Sequence, residues 1–216
     1  MGKLEGCLIG EVEIELKDRY GKIILKKRLR SKSFVAHFLQ ILRIQAYGYT
    51  ATTSVNFFSN YITGTIKDHS NTSIGYLVLS PNSGEASYFL NVNAPANDAN
   101  YGIRVGSGST YPTPNDYNLE SPIANGTGSG QLLHGAVTVE TVTINGTTTS
   151  FRIIRTFSNS SGATVTVREI GLSIKTFRYP SAAYFYVLIA RDVLASAVDV
   201  PNGATLTVRY ILSTTT

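Results

Sequence analysis

The sequence predicts a mainly β fold: an antiparallel β-sandwich, jelly-roll-like, with an N-terminal β-hairpin and one buried α-helix. Three observations predict it. Apolar and polar residues alternate strictly in several segments, as half-buried strands require. Gly, Asn, Pro and Asp break the pattern at short intervals, which suits antiparallel strands better than a parallel α/β sheet. Charged residues are only 15% of the 216, against roughly 25% in ordinary soluble domains. Ser, Thr, Asn, Gly and Tyr take their place, and these suit strands and turns.

The elements follow in order within a single domain, 1–216. The first unit, 8–48, is a hairpin and a helix. Glu11–Leu16 reads "EVEIEL", with Val12, Ile14 and Leu16 on one face and Glu11, Glu13 and Glu15 on the other. A turn at Asp18–Gly21 leads into "IILKKRLR". If Lys17 lies opposite Lys22, Glu13 meets Lys26 and Glu11 meets Arg28. A two-residue shift gives three such pairs, with Arg30 joining. Cross-strand pairs of opposite charge stabilise by roughly 0.2–1 kcal/mol each. Lys26, Arg28 and Arg30 therefore read as a salt-bridged solvent face, or else as a patch for nucleic acid or an acidic partner. From Lys17 to Lys32 the local charge is +7 against +5 for the whole chain, which leaves the rest at −2.

Next, "SKSFVAHFLQILRIQAYG" predicts a helix from an N-cap at Ser33 to a stop at Gly48. Phe34, Val35, Phe38, Leu39, Ile41, Leu42 and Ile44 leave only His37, Gln40 and Arg43 as a polar strip. That pattern buries most of the helix and places His37 at the surface.

Residues 49–105 are less regular. "SIGYLVLS" and "ASYFLNVN" read as strands and "NAPANDAN" as a loop. Then comes "GSGSTYPTPNDYNLESPIANGTGSG", residues 106–130. A phosphate-binding loop needs Lys-Ser/Thr after its last glycine, and here Gln131 and Leu132 follow Gly130. Tyr111, Tyr117, Leu119 and Ile123 sit among Pro112, Pro114 and Pro122, whose fixed φ reduces the entropy lost on ordering. The segment reads as a semi-rigid arm between two glycine hinges, packed over its own domain or a neighbour's. Tyr111, Pro112, Pro114, Tyr117, Leu119 and Ile123 are its candidate assembly residues.

Residues 131–216 read as successive sandwich strands. "HGAVTVETVTI" turns at Asn145–Gly146 into "TSFRIIRTF". In "TVTVREIGLSIKTF" Val165 and Val167 share one parity, and Ile170, Leu172 and Ile174 share the other. That phase change demands a bulge or bend near Arg168–Glu169. "AYFYVLIA" is apolar on both faces and so reads as central. "PNG" at residues 201–203 makes the last turn.

Catalytic and ligand patterns are missing. One cysteine, Cys7, excludes an internal disulfide. Three histidines, at 37, 69 and 134, show no metal-ligand spacing. Asp68, His69 and Ser70 are neighbours in sequence, whereas a catalytic triad draws on distant segments. The expectation is a protein that is no enzyme, with no cofactor and no metal. The N-terminal stretch lacks a signal-peptide core, and no apolar run approaches the ~20 residues of a spanning helix. An unexported chain, made in a reducing cytoplasm and without a membrane partner, is expected. Tyr101, Tyr111, Tyr117, Tyr179 and Tyr184 flank loops; they either cap the sandwich ends, stack on sugars or anchor an interface.

Three stretches together carry a resemblance. They are the hairpin with "SKSFVAHFLQIL", "RVGSGSTYPTPNDYNLESPIANGTGSGQLLHGA", and "SFRIIRTFSNSSGATVTVREIGLSI". In this order they resemble small structural proteins of tailed-bacteriophage-like virions, components of tail, neck or head appendage. The resemblance covers roughly residues 8–45 and 101–177. It implies a non-enzymatic protein, assembled in the host cytoplasm and located in the virion, whose partners are copies of itself and other virion proteins. The alternative is a carbohydrate-binding or receptor-binding adhesion module with a host-surface glycan as partner. Nucleic acid, bound through the basic hairpin, is the third reading.

Overall fold

The structure is a computed structural model, and it describes residues 9–31, 34–47, 66–73, 90–178 and 183–216. Ser33, Gly48 and Tyr179 lie outside these residues, as do "SIGYLVLS" beyond Ser73 and the first half of "ASYFLNVN".

The described residues are mainly β, with antiparallel sheets and one helix. Strands β1 (Ile9–Lys17) and β2 (Ile23–Ser31) form the hairpin. Asp18 closes its turn by accepting the amide hydrogens of Tyr20 and Lys22. The register is the second of the two expected: Glu11, Glu13 and Glu15 face Arg30, Arg28 and Lys26. Helix α1 (Ala36–Tyr47) follows, then β3 (Gly102–Gly106), β4 (Leu133–His134), β5 (Thr138–Val139) and β6 (Thr143–Asn145). The long strands β7 (Thr148–Ser158), β8 (Val165–Arg178), β9 (Ala183–Val200) and β10 (Thr205–Thr215) complete the chain.

A larger sheet runs in the order β2-β1-β10-β7-β4, with β5 and β6 also on β7; a smaller one runs β3-β8-β9. Strand alternation dictates which residues meet. Val12, Ile14, Leu206, Val208, Tyr210, Ile153 and Phe157 of the larger sheet share one buried cluster with Ile103, Val105, Ile170, Leu172, Ile174 and Val187 of the smaller. Asp192 ties three strands together: Ser31 Oγ donates to its Oδ2 at 2.7 Å and Tyr210 OH at 3.3 Å.

The expected bulge is present, with a register shift between Val167 and Glu169. Three expectations are corrected. "HGAVTVETVTI" is not one strand. Leu133, Thr138 and Thr143 face Ser158, Ile154 and Ser150, so five residues of this edge oppose four of β7, twice over. Each break thus inserts one extra residue, which twists an exposed edge away from regular pairing. Among the described residues, strand β9 is not central but terminal in its sheet. Its residues are apolar on both faces because both are covered. Val187 and Ile189 enter the main core, while Leu188 packs with Val35 and Leu119 in a second small cluster.

Third, His37 is buried, not on a surface strip. Its Nδ1 faces the Leu188 carbonyl at 3.3 Å and its Nε2 accepts the Lys67 amide at 3.3 Å. That pair of partners fixes a neutral ring with the proton on Nδ1. Helix α1 is also less buried than its composition suggests: Ile41 is enclosed, but Leu39 is 68% exposed.

Candidate functional site

Residues 106–130 lie across the outer face of the smaller sheet and are held by charge buried beneath them. The bulge in β8 is followed by Glu169, whose side chain points to that face and is fully buried. Its carboxylate accepts the amide hydrogens of Gly108 at 3.1 Å, Glu120 at 3.1 Å and Ser121 at 2.8 Å. From β9, Arg191 donates Nε to Glu169 at 2.8 Å, Nη1 to Asp116 at 2.8 Å and Nη2 to the Thr110 carbonyl at 3.1 Å. Glu120 then turns back and accepts the amides of Ser109 and Thr110. Burial alone would lower the Arg191 pKa and raise that of Asp116. The bonds between them reverse both effects, so Arg191 stays above its ordinary value and Asp116 below. The point where the three carboxylates converge is filled by a guanidinium.

Two glycines at the start of the arm are closely packed. A Cβ at Gly106 would collide with the Glu169 carboxylate, and one at Gly108 would fall 2.5 Å from Glu120 Cβ. Glycine is needed there so that backbone can close around a buried acid. The return leg pairs with β3, with Ser107 N donating to Ser121 O and Ile123 N to Val105 O. It continues into β4, so it joins the edge of the smaller sheet to the edge of the larger.

The predicted arm residues divide. Leu119 and Ile123 are buried in the chain's own clusters. Tyr117 is half-buried, with Lys67 Nζ 5.8 Å from its ring centre. The Pro114 carbonyl accepts the Ala36 amide, which places the arm over the first turn of α1. Pro112 is half-buried and Pro114 exposed. Tyr111 stands at the apex, 90% exposed.

Two more buried arginines hold irregular segments. Arg155, fully buried on β7, donates to the carbonyls of Gly135, Tyr101, Ile103, Pro95 and Asp98. Its five N–H donors match the five main-chain carbonyls that converge on it. Arg104 donates to the Ala99 carbonyl at 2.9 Å, to Asn118 Oδ1 at 2.8 Å and to the His69 ring. Burial brings both guanidiniums down to a pKa of about 10. His69 faces Ser173 Oγ at 3.1 Å, a Ser–His pair that sequence adjacency did not foretell. Ser173 is fully buried. Burial first and Arg104 second push the His69 pKa down to about 3.

On the basic face, Arg28 pairs with Glu11, Lys26 Nζ lies 3.9 Å from Glu13, and Arg209 of β10 reaches Glu13 at 3.1 Å and Glu15 at 3.6 Å. Glu13 is thus flanked by cations from both neighbouring strands. Arg30 makes no ion pair among the described residues. Sequence reasoning missed Glu169, Arg191, Arg155 and Arg104. Each is a charged residue set in a largely apolar strand, with Glu169 beside Arg168 and Arg191 beside Asp192, and that was the available signal.

Among the described residues, no helix is long and apolar enough to cross a membrane. No protein-family model, curated protein or solved structure matches the chain.

Proposed function

We propose that this protein is a non-enzymatic structural component of a phage-like virion, self-assembling into a symmetric part of the tail, neck or capsid surface. The observation that carries the reading is the arm. A buried ion-pair network fixes it to its own domain, so Tyr111 is presented to solvent on a preorganised support. Rigid exposed aromatics supply interface area at low entropic cost. The resemblance of three stretches to tailed-phage structural proteins supports the virion assignment. In the same proposal the two sheets form a jelly-roll-like sandwich, since the chain crosses between them from β7 to β8 and back from β9 to β10.

Light scattering on concentrated protein tests the assembly. A discrete multimer that Tyr111→Ala dissociates, with the thermal midpoint unchanged, is the expected result. A monomer at all concentrations, together with absence from particles by mass spectrometry, removes the proposal. The adhesion reading is favoured by one feature, the stacked rings of His69, Tyr186 and Tyr101 beside Lys175. Selective glycan binding lost on Tyr117→Ala would establish it instead.

A further inference from the structure

The sequence contains three Asn-Gly steps, at Asn125–Gly126, Asn145–Gly146 and Asn202–Gly203. Glycine leaves the following amide nitrogen unshielded, so each is a chemical candidate for side-chain amide loss. The fold treats them differently. At the first, Gly126 N donates to Leu132 O and Asn125 Oδ1 accepts from His134 N. At the third, Gly203 N donates to Asn159 O and Asn202 Oδ1 accepts from Gly162 N. In both, the attacking nitrogen and the attacked amide are held apart by bonds to other groups. Side chains also crowd both glycines, Gln131 at Gly126 and Arg19 at Gly203.

Asn145–Gly146 has none of these restraints. It is exposed at the end of β6, and neither the Asn145 side chain nor the Gly146 amide makes a hydrogen bond among the described residues. Gly146, at φ 58°, occupies the first central position of a two-residue turn, and nothing lies within 4 Å of where a Cβ would stand.

We propose that Asn145 is a site of spontaneous covalent modification by succinimide formation. The Gly146 nitrogen loses its proton and attacks Asn145 Cγ. A new C–N bond forms, the Cγ–Nδ2 bond breaks, and Nδ2 leaves as ammonia. Water then opens the five-membered ring at either carbonyl, leaving an aspartyl or isoaspartyl residue at position 145. No oxidant or reductant takes part. The product places a negative charge beside Val142 and Ile144, which are 62% and 77% exposed. The inference is independent of the assembly reading.

The test is peptide mapping by mass spectrometry after incubating the full chain in mildly alkaline buffer, once native and once in urea. In the native protein the Asn145 peptide is expected to convert several-fold faster than those holding Asn125 and Asn202. In urea the three rates are expected to converge. Asn145→Ser removes most of the native whole-protein mass gain. Equal native rates at the three sites, the same ranking in both states, or no native conversion at Asn145 while the unfolded chain converts would each overturn it.

Discussion

Removing the Glu169 carboxylate tests the anchor of the arm. Glu169 is fully buried, and its two oxygens take three backbone amides and one guanidinium N–H. Glu169→Ala strips all four donors of their acceptor and leaves Arg191, 3% exposed, with Asp116 and Glu120 as its charged partners. Breaking one side of a buried ion pair costs about 3–5 kcal/mol. For a chain of this size that lowers Tm by about 10 °C, at 2–4 °C per kcal/mol. Urea unfolding followed by tyrosine fluorescence measures it, since the chain has 13 Tyr and no Trp. Hydrogen exchange locates it: the Gly108, Glu120 and Ser121 amides lose protection, while β10 amides paired with β1 keep theirs. The double substitution Glu169→Leu with Arg191→Met recovers much of the loss, because no charge is then stranded. A cost below about 1 kcal/mol, the level of an exposed pair, or unchanged protection at the three amides would refute the reasoning.

Arg155→Met removes the guanidinium from five main-chain carbonyls; a loss of about 4 kcal/mol or more is expected, together with new proteolytic cleavage between residues 95 and 101. Acid destabilises the fold through His69 and His134, whose pKa values burial lowers to about 3. Both rings are neutral when folded and take protons near 6.5 when unfolded, so stability is full above that value and falls as pH drops toward 3. Each ring contributes about 1.4 kcal/mol per pH unit in that window, giving about 3–4 kcal/mol for the pair between pH 7 and 5 in urea melts. Glu13→Gln unpairs Lys26 and leaves Arg209 with Glu15 on a half-exposed face, and its cost of about 0.5–1 kcal/mol is expected to vanish in molar salt.

What the sequence revealed and hid follows from the range of the interactions. The hairpin was legible because alternation and a charge ladder are local, although its ion pairs run diagonally, from Arg28 to Glu11 and from Lys26 to Glu13, and not between the residues that face each other. The β8 bulge was legible because a parity change within one strand has few other causes. The position of β9 was not. Apolarity on both faces reports coverage, and coverage here comes from Val35 and Leu119, both remote in sequence. His37 misled for the same reason, since the loop bearing Lys67 closes over it. The anchor of the arm joins residues 61 apart at Gly108 and Glu169 and 75 apart at Asp116 and Arg191. No periodicity encodes such a pairing; only the charged pairs set among apolar residues in "VREIGL" and "LIARDVL" mark it.

That anchoring decides how assembly has to be probed. Deleting residues 112–123 appears at first to be the direct test of an assembly arm. The deletion also removes Asp116, Leu119, Glu120 and Ile123, which pair Arg191, fill two apolar clusters and cover Glu169. The buried Glu169–Arg191 pair then opens to water and the smaller sheet loses its outer cover. A deleted chain that failed to assemble would therefore report misfolding as readily as a missing contact. Tyr111 is different, because it is 90% exposed and neither apolar cluster includes it. Its truncation changes what the arm offers a neighbour and leaves what holds the arm in place, so a loss of assembly at constant stability assigns the contact to the apex itself.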